Sequence, residues 1–405
     1  MNSRLKDKLQ QAKVAAGILH NKVYTGPWNV QIDLTNRCNN DCIACWCNSP
    51  LLGDKAMPPA IRNKSLDYGT VIKLIDDLDE MGVRAIYFTG GGEPFMHPQI
   101  LDIMRHVKKK SIHLDMSTNF TLVNEKTAEE IVDIGIDHMN LSLWAGTPET
   151  YARLHPNKSR ETFIKMTDVI DYIVKLKNQR KTISPGLCMY NVVSCYNYQE
   201  VRKMIEFAFA HRFDDILFTP VDTVPDRTDS LMLNARQRGW LAADIRKLSG
   251  NIKELEDKHN HQLEFKDYHS FLRRLENKNA ACDNYDSDVL ESFPSCYAGW
   301  SFARVLATGD VNSCLKSFKI PIGNIYKNSF KEIWLSEKQH EFRRHAIKYD
   351  RDDPYFNNMG NDLLTKNQGC DKCCDNLGIN TAIHEKLMAL GFGKKQLLNI
   401  ARLFW

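Results

Sequence analysis

The sequence predicts an α/β protein built on a parallel sheet, and two observations lead to that class. Six short runs rich in apolar, β-branched and aromatic residues recur along the first half of the chain. Amphipathic helical patterns separate them, as in Val71, Leu74, Ile75 and Leu78. Strands that alternate with helices are typical of βα units with right-handed crossovers. The predicted strands are residues 28–34, 84–89, 113–117, 138–143, 186–193 and 216–221, and further helical patterns lie at 100–107, 163–176 and 199–211.

Changes in sequence character divide the chain, which is long enough for two or three domains. We expect an N-terminal amphipathic helix in residues 1–25, the sheet domain in 26–225, a helical connector in 226–290, a cysteine-rich domain in 291–380 and a C-terminal docking helix in 381–405. The apolar face of the first helix, which is predicted to dock on the body of the protein, consists of Leu5, Leu9, Ala12, Ala16 and Leu19. Residues 48–65, rich in Pro and Gly, are predicted to form an ordered loop rather than a helix.

Composition excludes several classes of function. Of the 405 residues, 43% are hydrophobic and 26% are charged, as in ordinary globular proteins, and the net charge of +4 does not point to nucleic acid. No apolar run is long enough to span a bilayer, and no secretory signal peptide is recognisable. Twelve cysteines without a secretion signal favour metal binding over disulfide bonds. We therefore expect a cytoplasmic, metal-binding protein with no membrane or nucleic-acid partner.

Three cysteines follow the first predicted strand in the run NRCNNDCIACW: Cys38, Cys42 and Cys45. Three thiolates on a short loop can hold three irons of a [4Fe-4S] cluster and leave the fourth iron open to a small molecule. The C-x3-C-x2-C spacing resembles the cluster loop of the radical S-adenosylmethionine (SAM) superfamily, in which the open iron binds SAM. A zinc site is the alternative, although zinc is more often bound by paired C-x2-C motifs that complete a four-ligand shell.

The run TGGGEP follows the second predicted strand and places Gly90, Gly91 and Gly92 before Glu93. Glycines let the backbone approach a ligand without a clash at Cβ, and a carboxylate can meet an ammonium group. A glycine triplet alone is more often only a tight turn. Because the triplet lies one βα unit after the cysteine loop, however, it resembles the superfamily motif that binds the amino group of SAM.

The resemblance also implies that the sheet forms a partial (β/α)6 TIM-like barrel.

The same resemblance implies further SAM contacts at the ends of the third and fourth strands. Ser117, Thr118 and Asn119 end the third strand at positions that lie near the ribose in the family, and Ser142 and Arg153 correspond to positions near the ribose and the carboxylate. A helix cap or Asx turn is the alternative for the residues at the third strand end, and a solvated surface position for Arg153. The sequence departs from the family at Ala44, because an aromatic residue usually packs near the adenine there. The adenine contact is therefore left open.

A second cysteine set lies in the C-terminal third of the chain: Cys296, Cys314, Cys370 and Cys373. With Gly309 ahead of its second cysteine, the set resembles the SPASM/twitch subgroup. A single set of four fits the shorter twitch form, which has one auxiliary [4Fe-4S] cluster. Cys374 could replace Cys373, and a structural zinc ion is the alternative. A cluster with all four irons bound by cysteine has no site for substrate, so its expected role is electron transfer.

The resemblance implies that a reduced cluster cleaves SAM to a 5′-deoxyadenosyl radical, which removes a hydrogen atom from the substrate. With an electron acceptor nearby, the leading expectation is an oxidoreductase that dehydrogenates or epimerises a small polar metabolite such as a sugar or cyclitol. Cys282 is a candidate hydrogen-atom donor for epimerisation. The expected electron donor is a flavodoxin or a ferredoxin.

Two other functions stay open. A maturase of ribosomal peptides is one, although the short segment before Trp28 leaves no room for a leader-peptide-binding domain. A non-catalytic iron–sulfur or zinc scaffold is the other, and the glycine–glutamate motif argues against it.

Overall fold

Strands from both halves of the chain form the centre of the molecule. The computed structural model describes residues 3–282, 285–290, 295–350, 353–359, 370, 376–389 and 391. The strands are β1 (Asn29–Ile32), β2 (Ala85–Phe88), β3 (His113–Thr118), β4 (His138–Ser142), β5 (Gly186–Val193), β6 (Asp215–Pro220), β7 (Glu264–Lys266), β8 (Phe302–Val305), β9 (Asp310–Asn312) and β10 (Gly323–Asn324). The helices are α1 (Ser3–His20), α2 (Pro59–Arg62), α3 (Tyr68–Glu80), α4 (Ile100–Lys109), α5 (Glu125–Ile134), α6 (Pro148–Leu154), α7 (Arg160–Arg180), α8 (Val201–Ala210), α9 (Ala235–Gly250), α10 (Ile252–His259), α11 (Tyr268–Glu276), α12 (Ser287–Leu290), α13 (Ala298–Ser301), α14 (Phe330–Trp334), α15 (Glu337–Lys348) and α16 (Leu377–Ala389).

Strands β1 to β6 form the parallel sheet that the sequence predicts. They lie side by side in chain order, and each neighbouring pair runs parallel. The register places Asn29 of β1 opposite Ala85 of β2, and Ser142 of β4 opposite Tyr190 of β5. The α/β fold class is confirmed, and the predicted strands are present with small differences at their ends.

Strands from the second half of the chain extend both edges of this sheet. β7 pairs in parallel with β6, and β8 pairs in parallel with β1. β9 and β10 continue beyond β8 as antiparallel strands. The cysteine-rich segment therefore shares one continuous sheet with the barrel, and the segment 226–290 contributes β7 in addition to its helices.

Alternation along the strands decides which side chains meet the helices. Val30 of β1 and Phe88 of β2 are buried in the main core, together with Leu74 of α3 and Met104 of α4. The neighbouring Tyr87 of β2 is only half-buried, because successive strand residues point to opposite faces of a sheet. The inner face of the barrel is consequently lined by polar and aromatic side chains.

Helix α1 packs on the body of the protein through a face that differs from the predicted one. Val14 and Ile18 are buried in a cluster that includes Trp300. Leu5 and Leu9 of the predicted face are 54% and 45% exposed. Leu19 of the predicted face does pack against this cluster. The prediction was wrong at Leu5 and Leu9, because the contact with Trp300, which is distant in sequence, determines which side of the helix is covered.

The insertion at 48–65 is ordered, but it contains helical turns. A 3-10 helix spans Pro50–Lys55, and α2 follows it. Both begin with proline in the first turn, where its fixed φ favours helix and its missing N–H is not needed. The prediction of a loop without helix was therefore wrong.

Toward the C-terminus, α16 lies within the segments expected to be the cysteine-rich domain and the docking helix. The apolar run at 394–405, which carries the predicted docking face, lies outside the described residues. No helix in the described part of the chain is long and apolar enough to cross a membrane.

Candidate active site

The chemically active residues of the predicted site come together at the carboxyl edge of the parallel sheet. Cys38 lies on the loop after β1, Glu93 on the loop after β2 and Asn119 directly after β3. These three strands are hydrogen-bonded neighbours that run in the same direction. Their carboxyl ends therefore lie side by side, where α/β sheets commonly bind ligands.

The thiols of the first cysteine loop accept hydrogen bonds from surrounding amides. The sulfur of Cys38 accepts from the backbone N–H of Asn40 at 3.5 Å and from Nδ2 of Asn119 at 3.8 Å. The sulfur of Cys45 accepts from the backbone N–H of Asn48 at 3.3 Å. Donors aimed at sulfur favour the thiolate, which is the form that binds metal.

The buried thiols repel one another once they are charged. Burial, together with the smaller effect of the negative charges of Glu93 and Cys45, raises the pKa of Cys38 to about 12. Burial and the charges of Cys45 and Cys38 likewise raise the pKa of Cys42. A hydrogen bond from the Cys47 thiol lowers the pKa of Cys45 to about 7. Three thiolates in this environment need a cation among them, so the donor set fits an iron–sulfur cluster.

No three His, Cys, Asp or Glu side chains among the described residues converge closely enough to ligate a single metal ion. A cubane cluster is larger than one ion and requires no such convergence.

The glycine triplet lies directly against the chain that leads into the cysteine loop. A Cβ on Gly90 would come within 2.1 Å of the Asp33 carboxyl carbon, and the φ of Gly90 is +127°. A Cβ on Gly92 would come within 2.2 Å of the backbone oxygen of Arg37. The same oxygen accepts a hydrogen bond from the N–H of Glu93 at 2.9 Å. The absence of a Cβ therefore lets the two loops pack directly against each other. The approach of the glycine backbone to a ligand stays a prediction.

Glu93 is a buried carboxylate held by three donors. It accepts hydrogen bonds from Oγ1 of Thr118 at 2.6 Å, from the N–H of Asn119 at 2.7 Å and from the N–H of Phe95 at 3.1 Å. Burial raises the pKa of Glu93 to about 7, although these hydrogen bonds lower it in part. A fixed carboxylate whose charge is under-compensated is suited to bind an ammonium group.

The other predicted contact residues lie further from this group. The Ser117 hydroxyl is hydrogen-bonded to the Tyr87 hydroxyl on the inner face of the barrel. Ser142 is half-buried at the end of β4. Arg153 is exposed; its guanidinium donates to the backbone oxygen of Tyr196 and lies 5.5 Å from that ring. The structure therefore brings together Cys38, Glu93 and Asn119, while Arg153 lies on the surface.

The second cysteine set is partly described. Burial, together with the smaller effect of the neighbouring Cys314, raises the pKa of Cys296 to about 12. Nδ2 of Asn380 lies 3.7 Å from the sulfur of Cys296, and Nδ2 of Asn376 lies 3.8 Å from that of Cys314. Cys370 is half-buried. The site thus repeats the pattern of buried thiols with amide donors.

The remaining cysteines of these predictions are not described at the side-chain level. Cys282 ends a 3-10 turn, and nothing is described of its side chain. Cys373 and Cys374 lie outside the described residues, so the choice between them stays a prediction.

A buried ion pair joins the two cysteine regions. Arg304 of β8 donates to Asp33, which follows β1, at 2.7 Å. The guanidinium lies 4.5 Å from the ring of Phe318 and 5.9 Å from the ring of Trp46. Trp46 follows Cys45 directly in the chain. The first cysteine loop and the C-terminal segment are therefore linked by a cation that packs against both rings, which also contact each other at 5.5 Å.

Thr118, expected near the ribose, instead donates its hydroxyl to Glu93. Other contributors to the two sites were missed by sequence reasoning. Asn376 and Asn380 contact the second cysteine set and occur four residues apart, a helical spacing visible in the sequence. No local signal pairs Asp33 with Arg304.

The cavity next to the first cysteine loop has a volume of about 280 Å³. Its walls include Trp46 and Cys47 from the loop, Lys55 and Ile61 from the 48–65 insertion, and Leu306 from the turn after β8. The insertion therefore closes over the cysteine loop on this side.

The fold combines a loop of three cysteines at the carboxyl edge of the parallel sheet with a second set of cysteines in the C-terminal segment. The family model of the radical SAM superfamily matches residues 32–208, and the model of an iron–sulfur cluster-binding domain, SPASM, matches residues 296–373. The chain belongs to the radical SAM superfamily and carries a SPASM/twitch domain for an auxiliary cluster. It is a radical SAM enzyme, and its cofactors are SAM and [4Fe-4S] clusters.

Individual relatives share the fold at low sequence identity. The tungsten-containing aldehyde ferredoxin oxidoreductase cofactor-modifying protein of Pyrococcus furiosus is 23% identical over 77% of this chain and 82% of its own. SuiB of Streptococcus suis, bound to its precursor peptide SuiA, superposes with a TM-score of 0.58 at 14% identity, over 84% of this chain and 73% of its own. Native anSMEcpe, bound to AdoMet and the Cp18Cys peptide, superposes with a TM-score of 0.54 at 16% identity, over 94% of this chain and 100% of its own.

Proposed function

We propose that this protein oxidises a carbon of a peptide or protein substrate by radical SAM chemistry. The observation that carries the proposal is a cavity of about 770 Å³ on the inner side of the barrel. One wall is formed by Tyr190 of β5 and Thr219 of β6, and the opposite wall by α16. Because Asn380 of α16 contacts Cys296, a substrate in this cavity would lie between the barrel and the second cysteine set.

Each cysteine set is assigned one cluster. Cys38, Cys42 and Cys45 bind the cluster that SAM chelates. The auxiliary cluster is bound by Cys296, Cys314, Cys370 and a fourth thiol, from Cys373 or Cys374. Burial disfavours a free thiolate at Cys38 and Cys296, so charged sulfurs there need a cation. The amide donors to the sulfurs favour the thiolate form, and both observations support the two assignments.

When bound, SAM and the clusters would supply one-electron chemistry: a hydrogen atom leaves the substrate carbon for the adenosyl group, and a further electron passes to the auxiliary cluster as the substrate releases a proton. The residues of this chain position the reactants. Glu93 binds the ammonium of SAM. Thr118 and Asn119 hold the Glu93 carboxylate in place by hydrogen bonds. The barrel and α16 form two walls against which the substrate would bind.

The size and lining of the cavity support a peptide substrate. Its volume lies in the upper part of the range for ligand sites, and groups suited to a peptide backbone are distributed along its walls. They include Thr219, Ser270, Arg274, Thr381 and Glu385. SuiB and anSMEcpe, which share the fold, are described with bound peptides. The expected oxidation of a sugar or cyclitol finds no such support from the comparisons.

The chemistry requires a one-electron reductant, and a flavodoxin or ferredoxin would supply it. We infer a cytoplasmic location, because thiolate-bound clusters persist in reducing compartments.

The test measures whether SAM cleavage increases when the enzyme is given either of two fractions of an extract from the source organism. The anaerobically reconstituted enzyme is incubated with SAM, dithionite and either the peptide fraction or the low-mass metabolite fraction. We expect the peptide fraction to raise 5′-deoxyadenosine above the background and to contain a peptide that has lost two hydrogens by mass spectrometry. Stimulation by the metabolite fraction alone would replace the peptide substrate with a small molecule. If no 5′-deoxyadenosine forms under any condition, the proposed radical reaction is wrong.

A further inference from the structure

An apolar cluster lies beside the first cysteine loop, where β4, β5 and β6 end. Trp144, which follows β4, is buried there with Ile43 and Val221. Ala44 and Val192 pack against the same cluster. Ala44 occupies the position next to Cys45 that carries only a methyl group in this chain. The aromatic side chain of this cluster comes instead from Trp144, just after the end of β4.

Trp144 is held in an unfavourable backbone conformation. Its φ is +59°, in the left-handed region that large side chains rarely adopt. Such strain persists where the surrounding structure enforces it, and it is concentrated at functional sites. Nδ2 of Asn197 donates to the backbone oxygen of Trp144 at 2.8 Å and fixes this turn. The indole is thereby directed into the cluster and not toward solvent.

The indole N–H of Trp144 is buried and has no hydrogen-bond partner. The side chain as a whole is only 8% exposed. A buried donor without a partner typically costs about 1–3 kcal/mol, so native proteins rarely leave one unless a ligand or water completes it. The position therefore fits a ligand that presents a hydrogen-bond acceptor and a flat face.

A row of aromatic rings supports the indole from behind. The rings of Trp144 and His155 are 5.4 Å apart, and His155 stacks on Tyr151 at 4.2 Å. His155 is fully buried, and burial lowers its pKa to about 4, so the ring is neutral. Nδ1 of His155 is hydrogen-bonded to the backbone oxygen of Tyr151 at 2.9 Å. The indole plane is thus fixed before any ligand arrives.

We propose that Trp144 supplies the aromatic surface and the hydrogen-bond donor for the adenine of SAM, in place of the aromatic side chain missing at Ala44. Adenine has ring nitrogens that accept a hydrogen bond from an indole N–H, and it has a face that stacks on aromatic rings. Ala44, which packs against the same cluster, presents only a methyl group there. This inference concerns the binding of SAM and does not depend on the peptide substrate proposed above.

The test measures SAM binding in the absence of reductant, so that SAM is not cleaved. The reconstituted holoenzyme is dialysed to equilibrium against radiolabelled SAM under anaerobic conditions. Loss of a base–aromatic contact costs about 1–3 kcal/mol, so Trp144→Ala should raise the Kd about 5- to 150-fold. Trp144→Phe retains a ring and loses only the donor, and its Kd should rise less. A Trp144→Ala enzyme with full iron content and the wild-type Kd would overturn the proposal.

Tryptophan fluorescence gives a second readout that does not require the alanine variant to fold. The control is Trp240, a 46% exposed tryptophan whose ring contacts Tyr198. SAM should quench emission from the wild type and from Trp240→Phe, and the quenching should be lost in Trp144→Phe. Quenching of equal size in Trp144→Phe would refute contact between the base and this indole. Neither the dialysis nor the fluorescence measurement depends on peptide turnover. A wrong peptide substrate would therefore leave both results unchanged.

Discussion

A single backbone oxygen explains why residue 92 is glycine. The oxygen of Arg37 lies 2.2 Å from the place where a Cβ would stand, and the carbonyl carbon of Asn36 lies 2.6 Å from it. Backbone atoms cannot move aside as the end of a side chain can. The contact joins the loop that carries Glu93 to the loop that carries the cysteines, so it affects both halves of the SAM site.

Gly92→Ala should therefore destabilise the protein and disturb cluster loading. Overpacking of this kind typically costs about 1–3 kcal/mol. Gly239→Ala is the matched control, because nothing lies within 4 Å of its Cβ position and it is inside α9. That change should stabilise by about 0.5–1 kcal/mol. Urea unfolding of the cluster-free protein and the iron content after reconstitution measure both effects. Equal behaviour of the two variants would contradict the steric argument.

Glu93 should make the stability of the SAM-free protein depend on pH. Its pKa is about 7 when folded against an ordinary 4.5, so the folded state binds the proton more tightly than the unfolded state. The stabilisation from this proton is complete below about pH 4.5 and is lost as the pH rises through 7. Glu93→Gln cannot ionise, so its free energy of unfolding relative to wild type should increase between pH 5 and pH 8. A pH-independent difference between the two proteins would refute the raised pKa.

The same carboxylate should bind SAM more weakly once its charge is removed. A hydrogen bond to a charged group contributes about 1.5–3 kcal/mol, which predicts a Kd for SAM about 10- to 150-fold higher in Glu93→Gln. Calorimetry of wild type near pH 6.5, in two buffers of different ionisation enthalpy, should show proton release on binding. The variant should release none at this site. Release of the same size from both proteins would assign the proton to another group.

At the scale of elements, the strands and the motif positions were predictable because their signals are local. Alternating apolar residues locate β2 and β3, and the cysteine and glycine runs follow strands directly. The edges of the sheet were not predictable in this way. β8 joins β1 across more than 260 residues of chain, and β7 is only three residues long. Pairing over such distances depends on packing that no window of sequence contains.

The buried pair of Asp33 and Arg304 holds this distant pairing in place. Their side chains are 2% and 6% exposed, and Arg304 is packed against the rings of Phe318 and Trp46. Gln31 also donates to Asp33 at 3.0 Å. Since β8 precedes Cys314 and Asp33 precedes Cys38, the pair fixes the relative positions of the two cysteine sites.

Arg304→Met should leave the Asp33 carboxylate buried without its cation and cost about 3–5 kcal/mol. Glu149→Gln is the control, because Glu149 pairs with Arg160 on the surface and both are more than half exposed. Breaking that pair should cost less than about 1 kcal/mol. Denaturant unfolding under anaerobic conditions compares them. If Arg304→Met costs no more than the surface control, the pair does not hold β8 in place.

At the scale of the whole molecule, one sheet carries both cluster sites and leaves a cavity between the barrel and α16. This arrangement separates two tasks. In the proposed function, the first cysteine set and Glu93 bind the SAM cluster and SAM, and the second set binds the cluster that accepts the electron from the substrate. Because the second set has enough cysteines to bind all four irons, its proposed role is electron transfer rather than substrate binding. The two tasks should therefore be separable by mutation.

Cys296→Ala should retain SAM cleavage and lose product. Removing one thiol of the second set leaves a ligand position empty, and the iron content should fall from about eight to about four per chain. SAM and dithionite should still give 5′-deoxyadenosine. The yield of oxidised peptide should fall at least about tenfold, because the substrate radical has lost its electron acceptor. Cys195→Ala is the matched control: this half-buried thiol donates to the backbone oxygen of Ser230 and belongs to neither set, so iron content and product should stay at wild-type levels. Full product yield from Cys296→Ala at half the iron content would show that the auxiliary cluster does not accept the electron, and the proposed oxidation would need another acceptor.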